Sequence, residues 1–342
     1  MSPVRRLSIF LALAAIAGPA SAQTGPATRP LGADLTGFAY PFPVHWFATQ
    51  SQGGPVRMAY LDVAPTAPAN GATVVLLHGK NFCAATWEST IRSLAAQGYR
   101  VIAPDQIGFC KSSKPAGYQY SFHALATLTA RLLDQAGVDR MALVGHSTGG
   151  VLATRFALLF PERVISLVLV NPLGLNDTLA EGVPYTELGA LRAEEAKTDA
   201  ASIRAYQLRN YYHGEWRPAY DRWIAMLAGQ YASPDGDTVR EAQARLSDMI
   251  ETQPIAGELG RVRPPVTLLI GQLDKTAFRA SSAPEAVRSR IRTVPQAAEE
   301  AVHRFPRARL VRLEGLGHSP MVENPARFEA ALLDALRKRN GL

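Results

Sequence analysis

The chain has 342 residues, 47% of them hydrophobic, and its 36 Lys and Arg against 29 Asp and Glu give a formal net charge of +7. That length accommodates one large domain with an insertion. The basic residues are scattered rather than clustered, which argues against nucleic-acid binding and describes a solvated basic exterior.

At the start, residues 1–8 carry Arg5 and Arg6, residues 9–17 are apolar, and Ala20-Ser21-Ala22 is a small-residue cleavage pattern. Residues 1–22 read as a secretory signal peptide cut after Ala22. The apolar stretch is too short to span a bilayer, and Arg5-Arg6 leaves the export route open. The mature chain is therefore expected to be exported, periplasmic or secreted, without an integral membrane segment. Residues 23–36, rich in Pro, Gly and Thr, read as a loose lead-in.

Residues 45–50 and 56–63 alternate as two antiparallel strands with Gly53-Gly54 between them. A strand–helix alternation follows: strand 73–77, helix 87–97 closed by Gly98, strand 100–103, helix 122–136 ended by Gly137, strand 141–144, a helix to Pro161 and strand 166–170. Continuous apolar strands alternating with helices predict an α/β fold with a mostly parallel central sheet flanked by helices. Residues 172–259 break the pattern, with helical segments near 185–197, 200–212, 218–228 and 238–250 and a concentration of aromatic residues. They read as a helical cap inserted after the sixth strand, while 23–171 and 260–342 form the core. Strands 266–270 and 309–313 and a helix over 325–339 complete the chain.

The chemistry centres on Gly145-His146-Ser147-Thr148-Gly149, a G-x-S-x-G pentapeptide between a predicted strand and a predicted helix. Such a turn forces its central residue into a strained backbone conformation, so small residues must flank it, and Ser147 Oγ projects at a helix N-terminus. A serine hydroxyl needs a base to take its proton and a third group to orient that base. Asp274, in Gly271-Gln272-Leu273-Asp274, and His318, in Leu316-Gly317-His318-Ser319-Pro320, each follow a predicted strand. In a parallel sheet these loops gather at one edge, so Ser147, Asp274 and His318 can converge. Asp177 is the alternative acid. His78-Gly79-Lys80-Asn81 follows the strand at 73–77, where the Lys80 N–H can join the Thr148 N–H as an oxyanion hole.

Together these sites resemble the α/β-hydrolase superfamily, and most of all its capped, single-domain branch of proline iminopeptidases, meta-cleavage-product hydrolases, cofactor-free haloperoxidases and epoxide hydrolases. Pro104-Asp105-Gln106-Ile107-Gly108-Phe109 and the run from Gly317 through Glu323 to Pro325 match further landmarks of that family. The resemblance implies an α/β-hydrolase fold, with Ser147 as nucleophile, His318 as base, Asp274 as acid, and Lys80 and Thr148 as oxyanion donors. Ser147 stands where dehalogenases and epoxide hydrolases carry aspartate, which argues against both chemistries. Lys80 replaces a residue often aromatic in this branch, and its side chain is expected to point away from the site. Asn81, Tyr211, Tyr212 and Trp216 are candidates for the substrate pocket. In the sheet of this fold the strands preceding Cys83 and Cys110 are neighbours, so a disulfide between the two is expected in an oxidising compartment.

The expected activity is hydrolysis of a small-molecule ester, lactone, amide or thioester through an acyl-enzyme, with no cofactor and no metal site in the histidine spacings. Carbon–carbon bond hydrolysis, perhydrolase or haloperoxidase chemistry, and ligand binding with little turnover remain open on the same site. Oligomeric state is not readable.

Overall fold

A computed structural model of the protein describes residues 28–340, with side chains to 337; the expected leader, 1–22, lies outside the described residues. Strands β1 (Val44–Ser51) and β2 (Gly54–Val63) form an antiparallel hairpin in which Ser51 faces Gly54. The turn is therefore Gln52-Gly53 rather than Gly53-Gly54, and both residues have positive φ, 51° and 79°. A two-residue turn of this handedness matches the twist of the strands it joins.

Six further strands follow: β3 (Thr73–Leu77), β4 (Arg100–Pro104), β5 (Met141–His146), β6 (Val164–Val170), β7 (Val266–Gly271) and β8 (Ala308–Leu313). They make one eight-stranded sheet in the order β1-β2-β4-β3-β5-β6-β7-β8, antiparallel at β1, β2 and β4 and parallel from β4 to β8. Helices α1 (Glu88–Ala96), α2 (Phe122–Gln135) and α3 (Thr148–Leu159) provide the first crossovers. Alternation along β3 shows why both faces must be covered. Val74 and Leu76 pack with Trp87 and Ile91 and with Phe328 and Leu332 of the helix Pro325–Asn340. Val75 and Leu77 pack with Leu125, Leu132, Leu152 and Phe156 of α2 and α3.

Helices α4 (Leu188–Glu195), α5 (Ala200–Asn210), α6 (Asp221–Tyr231) and α7 (Gly236–Thr252) lie between β6 and β7, with no strand among them. The fold is that of an α/β hydrolase with a helical cap inserted after the sixth strand. The first cap helix starts later than expected, at Leu188, and Tyr185 lies outside it with its hydroxyl donating to Asp248 Oδ1 at 3.0 Å. A helix at Val294–Ala301, absent from the sequence reading, makes the crossover from β7 to β8. Its buried residues Val294, Ala297, Ala298 and Ala301 keep helical spacing, but the run is only eight residues long with a proline in its first turn; Thr293 and Gln296 form a capping box at its start. Among the described residues no helix is long and apolar enough to cross a membrane.

Candidate active site

The strand β5 ends at His146 and α3 begins at Thr148, leaving Ser147 alone in the turn at φ 54°, ψ −119°. A non-glycine residue there is strained and persists only where its surroundings hold it. Ser147 N–H donates to Val170 O (3.0 Å), and its carbonyl accepts from Gly150 N–H (2.9 Å) and Leu173 N–H (3.2 Å). A Cβ at position 149 would collide with the Leu77 and His78 carbonyl oxygens, so α3 can start against β3 only with glycine there.

Asp274 follows β7, and its Oδ2 lies 2.7 Å from His318 Nδ1, both side chains fully buried. The carboxylate is fixed from the other side: Asn171 Nδ2 donates to Oδ2 (2.7 Å) and Thr276 N–H to Oδ1 (2.7 Å). Asn171 itself is anchored by accepting from Gly271 N–H (3.1 Å). Nothing in the local sequence pattern marks Asn171 for this role. The alternative acid, Asp177, instead accepts from Ala180 N–H in its own turn (3.1 Å).

His318 Nε2 is buried and has no hydrogen-bond partner among the described residues, and no bond joins it to Ser147 Oγ. The preceding residue of the elbow ties the two loops together, since His146 Nε2 lies 2.8 Å from the His318 carbonyl oxygen and the two rings are 5.0 Å apart. Burial drives the His146 pKa well below its ordinary value, so this ring is a neutral strut. Burial likewise lowers that of His78, whose Nε2 accepts from Gln106 N–H (3.1 Å). An imidazole held by carboxylate at Nδ1 and left unpartnered at Nε2 is the arrangement of a general base.

A cavity of about 260 Å³ opens at Ser147, lined by Lys80, Asn81 and Thr148 at the core end and by Ile203, Tyr206 and Tyr211 among others from the cap. The Lys80 and Thr148 N–H groups donate to no acceptor among the described residues. Tyr211 lays its ring on that of His318 at 4.4 Å and 26°, and its hydroxyl accepts from Asn81 Nδ2 (2.9 Å).

Three expectations are corrected here. Tyr212 does not line the cavity: following Tyr211 it faces the opposite way, fully buried and stacked on Tyr220 at 3.9 Å. Trp216 packs edge-on against Tyr212 and Tyr220, its Nε1 donating to Asp221 Oδ1 (2.9 Å), and is also outside the cavity. Lys80 does not point away; its ammonium reaches Glu195 Oε1 of α4 at 3.0 Å in the cavity wall. Burial opposes ionisation of Glu195, but Lys80, Tyr231 and Thr198 outweigh it and hold the carboxyl below its usual pKa. Glu194, Glu195 and Arg279 line the same wall; nothing in the local sequence pattern marks them.

Cys83 and Cys110 form a disulfide, with Cα atoms 5.9 Å apart. The Asp105 carboxylate lies beside the sulfurs, but its oxygens are already taken by Ala84 N–H (2.8 Å), Tyr40 OH (2.6 Å) and Lys111 N–H (3.1 Å). The bridge and Asp105 fasten the segment after Lys80 to the loop following β4.

The α/β-hydrolase fold profile matches residues 72–325. The chain is 37% identical over 115 residues to 2-hydroxy-6-oxo-2,4-heptadienoate hydrolase of Pseudomonas putida, a match spanning 33% of this chain and 42% of that one. It is 30% identical over 283 residues to RutD of Stutzerimonas stutzeri, a candidate carbamate hydrolase, covering 81% of this chain and 94% of the relative. Among solved structures, a probable hydrolytic enzyme from Pseudomonas aeruginosa is 50% identical with a TM-score of 0.89, over 90% of this chain and 99% of that one. The chain belongs to the α/β-hydrolase fold family and is a hydrolytic enzyme.

Proposed function

We propose that the protein is an exported serine hydrolase that cleaves a small ester, lactone, amide or thioester through an acyl-enzyme. The observation that carries this reading is the buried Asp274–His318 pair, unpartnered at Nε2 and tied through His146 to the elbow whose positive-φ Ser147 lines the cavity. Ser147 Oγ attacks the carbonyl carbon while His318 Nε2 takes its proton. The oxyanion is met by the Lys80 and Thr148 N–H groups, and the leaving group departs with the proton from His318. Water, deprotonated by the same nitrogen, then releases the acid and restores Ser147. Losing one oxyanion donor typically costs about 3–4 kcal/mol of transition-state stabilisation.

The Cys83–Cys110 bridge supports export, because disulfides persist in oxidising compartments. A mature N-terminus at Gln23 in a periplasmic or culture fraction is the expected outcome; an intact leader in the cytoplasm would refute this part. A fluorophosphonate probe tests the chemistry. Labelling of wild type and none of Ser147→Ala is expected, and equal labelling of both would sink the assignment.

A second reading, carbon–carbon hydrolysis of a dienoate, is favoured by the name of the Pseudomonas putida relative and by a Burkholderia cepacia relative named 2-hydroxy-6-oxo-6-phenylhexa-2,4-dienoate hydrolase. Turnover of such a dienoate exceeding that of p-nitrophenyl esters would select it.

A further inference from the structure

The base loop is held by a residue that plays no part in the reaction scheme above. Glu323 ends the short helix Pro320–Glu323 and turns its carboxylate back on the loop. Its oxygens accept from Gly317 N–H at 3.0 and 2.9 Å, and one of them also accepts from Ser319 N–H at 3.2 Å. These are the two residues on either side of His318. The His318 N–H donates to the carbonyl of Tyr211 in the cap (2.9 Å), and a Cβ on Gly317 would collide with that same carbonyl. The base loop and the cap segment are therefore in backbone contact.

The far side of Glu323 also belongs to the cap. His213 Nε2 stands 3.4 Å from Glu323 Oε2, with His213 itself in the left-handed region at φ 45°. Arg217 Nη1 donates to the Glu323 carbonyl oxygen (3.1 Å). The charged and titratable groups facing this carboxylate are thus His213 and Arg217 of the cap, Asp274 after β7, and the hydroxyls of Tyr212 and Tyr220.

We propose that Glu323 is a positioning residue for His318: its carboxylate, steadied by His213 of the cap, pins the amides flanking the base and keeps Nδ1 on Asp274 and Nε2 toward Ser147. This rests on the triad reading of the site. Several facts favour it over a purely structural role. A buried carboxylate costs stability unless its hydrogen bonds compensate, and here desolvation outweighs the backbone donors and raises the Glu323 pKa to about 7. The group that grips the loop therefore titrates near neutral pH, and its charged form accepts the stronger bonds. Protonation slackens the hold on Gly317 and Ser319 and moves the base out of register, where about 1 Å of misplacement can cost on the order of 100-fold in rate.

The test is steady-state turnover of a p-nitrophenyl ester by wild type, Glu323→Gln and His213→Gln between pH 5 and 9, with thermal melts and the downfield proton resonance of the His318–Asp274 bond. Glu323→Gln keeps the shape and one acceptor but loses the charge. It is expected to lower kcat about 10–100-fold with KM within about threefold, in the range of misplaced catalytic groups. The acid limb of its kcat profile should relax from two protons toward one, and the downfield resonance should broaden or shift. His213→Gln should move kcat in the same direction by a smaller factor. If Glu323→Gln does not fold, His213→Gln decides alone. A variant with a lowered melting temperature but unchanged kcat, pH profile and resonance would overturn the inference. Wild type that neither turns over esters nor takes a fluorophosphonate would instead refute the triad reading itself.

Discussion

Removing the Cys83–Cys110 bridge should destabilise the protein by a calculable amount. The two cysteines are 27 positions apart, so the closed loop holds about 28 residues, and the chain-entropy relation gives roughly 12 cal/mol/K, or about 3.6 kcal/mol at 25 °C. With an unfolding entropy of about 2.1 cal/mol/K per residue over roughly 310 folded residues, the melting temperature should fall by about 5–6 °C. Both cysteines are buried, so part of any larger loss in a Cys83→Ala/Cys110→Ala variant would be packing. Reduced wild type isolates the cross-link. Calorimetry of oxidised wild type, reduced wild type and the double variant checks the figure. Activity should fall more steeply with temperature as well, because Ala84 and Asp105 carry the mechanical link from the bridge to the segment bearing Lys80. A reduced protein melting within about 1 °C of the oxidised one would refute the entropic argument, and two reactive thiols in unfolded, unreduced protein would refute the bond.

Asp274→Asn should lower kcat by about 10³–10⁴ with KM little changed, since the base loses the partner that sets its tautomer; presteady-state acylation with a chromogenic ester measures it. Gly79→Ala would place a Cβ 2.9 Å from His146 Nδ1 and 3.0 Å from Ser147 Cβ. Overpacking of that kind costs about 1–3 kcal/mol, and a drop in both melting temperature and kcat is expected. The folded pKa of Glu323 lies above its ordinary value of 4.5, at about 7. Its contribution to stability is therefore fully present below pH 4.5 and is lost as pH rises through 7, a change on the order of 3 kcal/mol. Urea denaturation of wild type and Glu323→Gln at pH 5 and pH 8 should show wild type losing more stability than the variant; parallel losses would refute the assignment.

The elements of the sheet were legible because β3 to β7 are short, largely apolar runs and β8 intersperses arginine among apolar residues. The elbow was legible for a related reason, as Gly145, Ser147 and Gly149 sit where a strand must become a helix. Asp274 and His318 were readable as loops after strands, and the parallel sheet brings such loops to one edge. The helix Val294–Ala301 is hard to read because it is only eight residues long, opens with a proline in its first turn and buries mostly alanine.

Local pattern and chain position along a parallel sheet were enough to order the strands and to single out Ser147, Asp274, His318 and the two cysteines. The tertiary structure decided which side chains meet. Tyr211 and Tyr212 are adjacent in the chain, yet one lies against His318 and the other against Tyr220. Lys80 turns into the cavity because Glu195, 115 positions later, is there to receive it. Glu323 belongs to a run that marks the family resemblance, but only the folded loop shows that its carboxylate turns back on the amides of Gly317 and Ser319. Contacts of this kind arise from packing between segments distant in the chain, and local periodicity does not encode which distant partner a side chain meets.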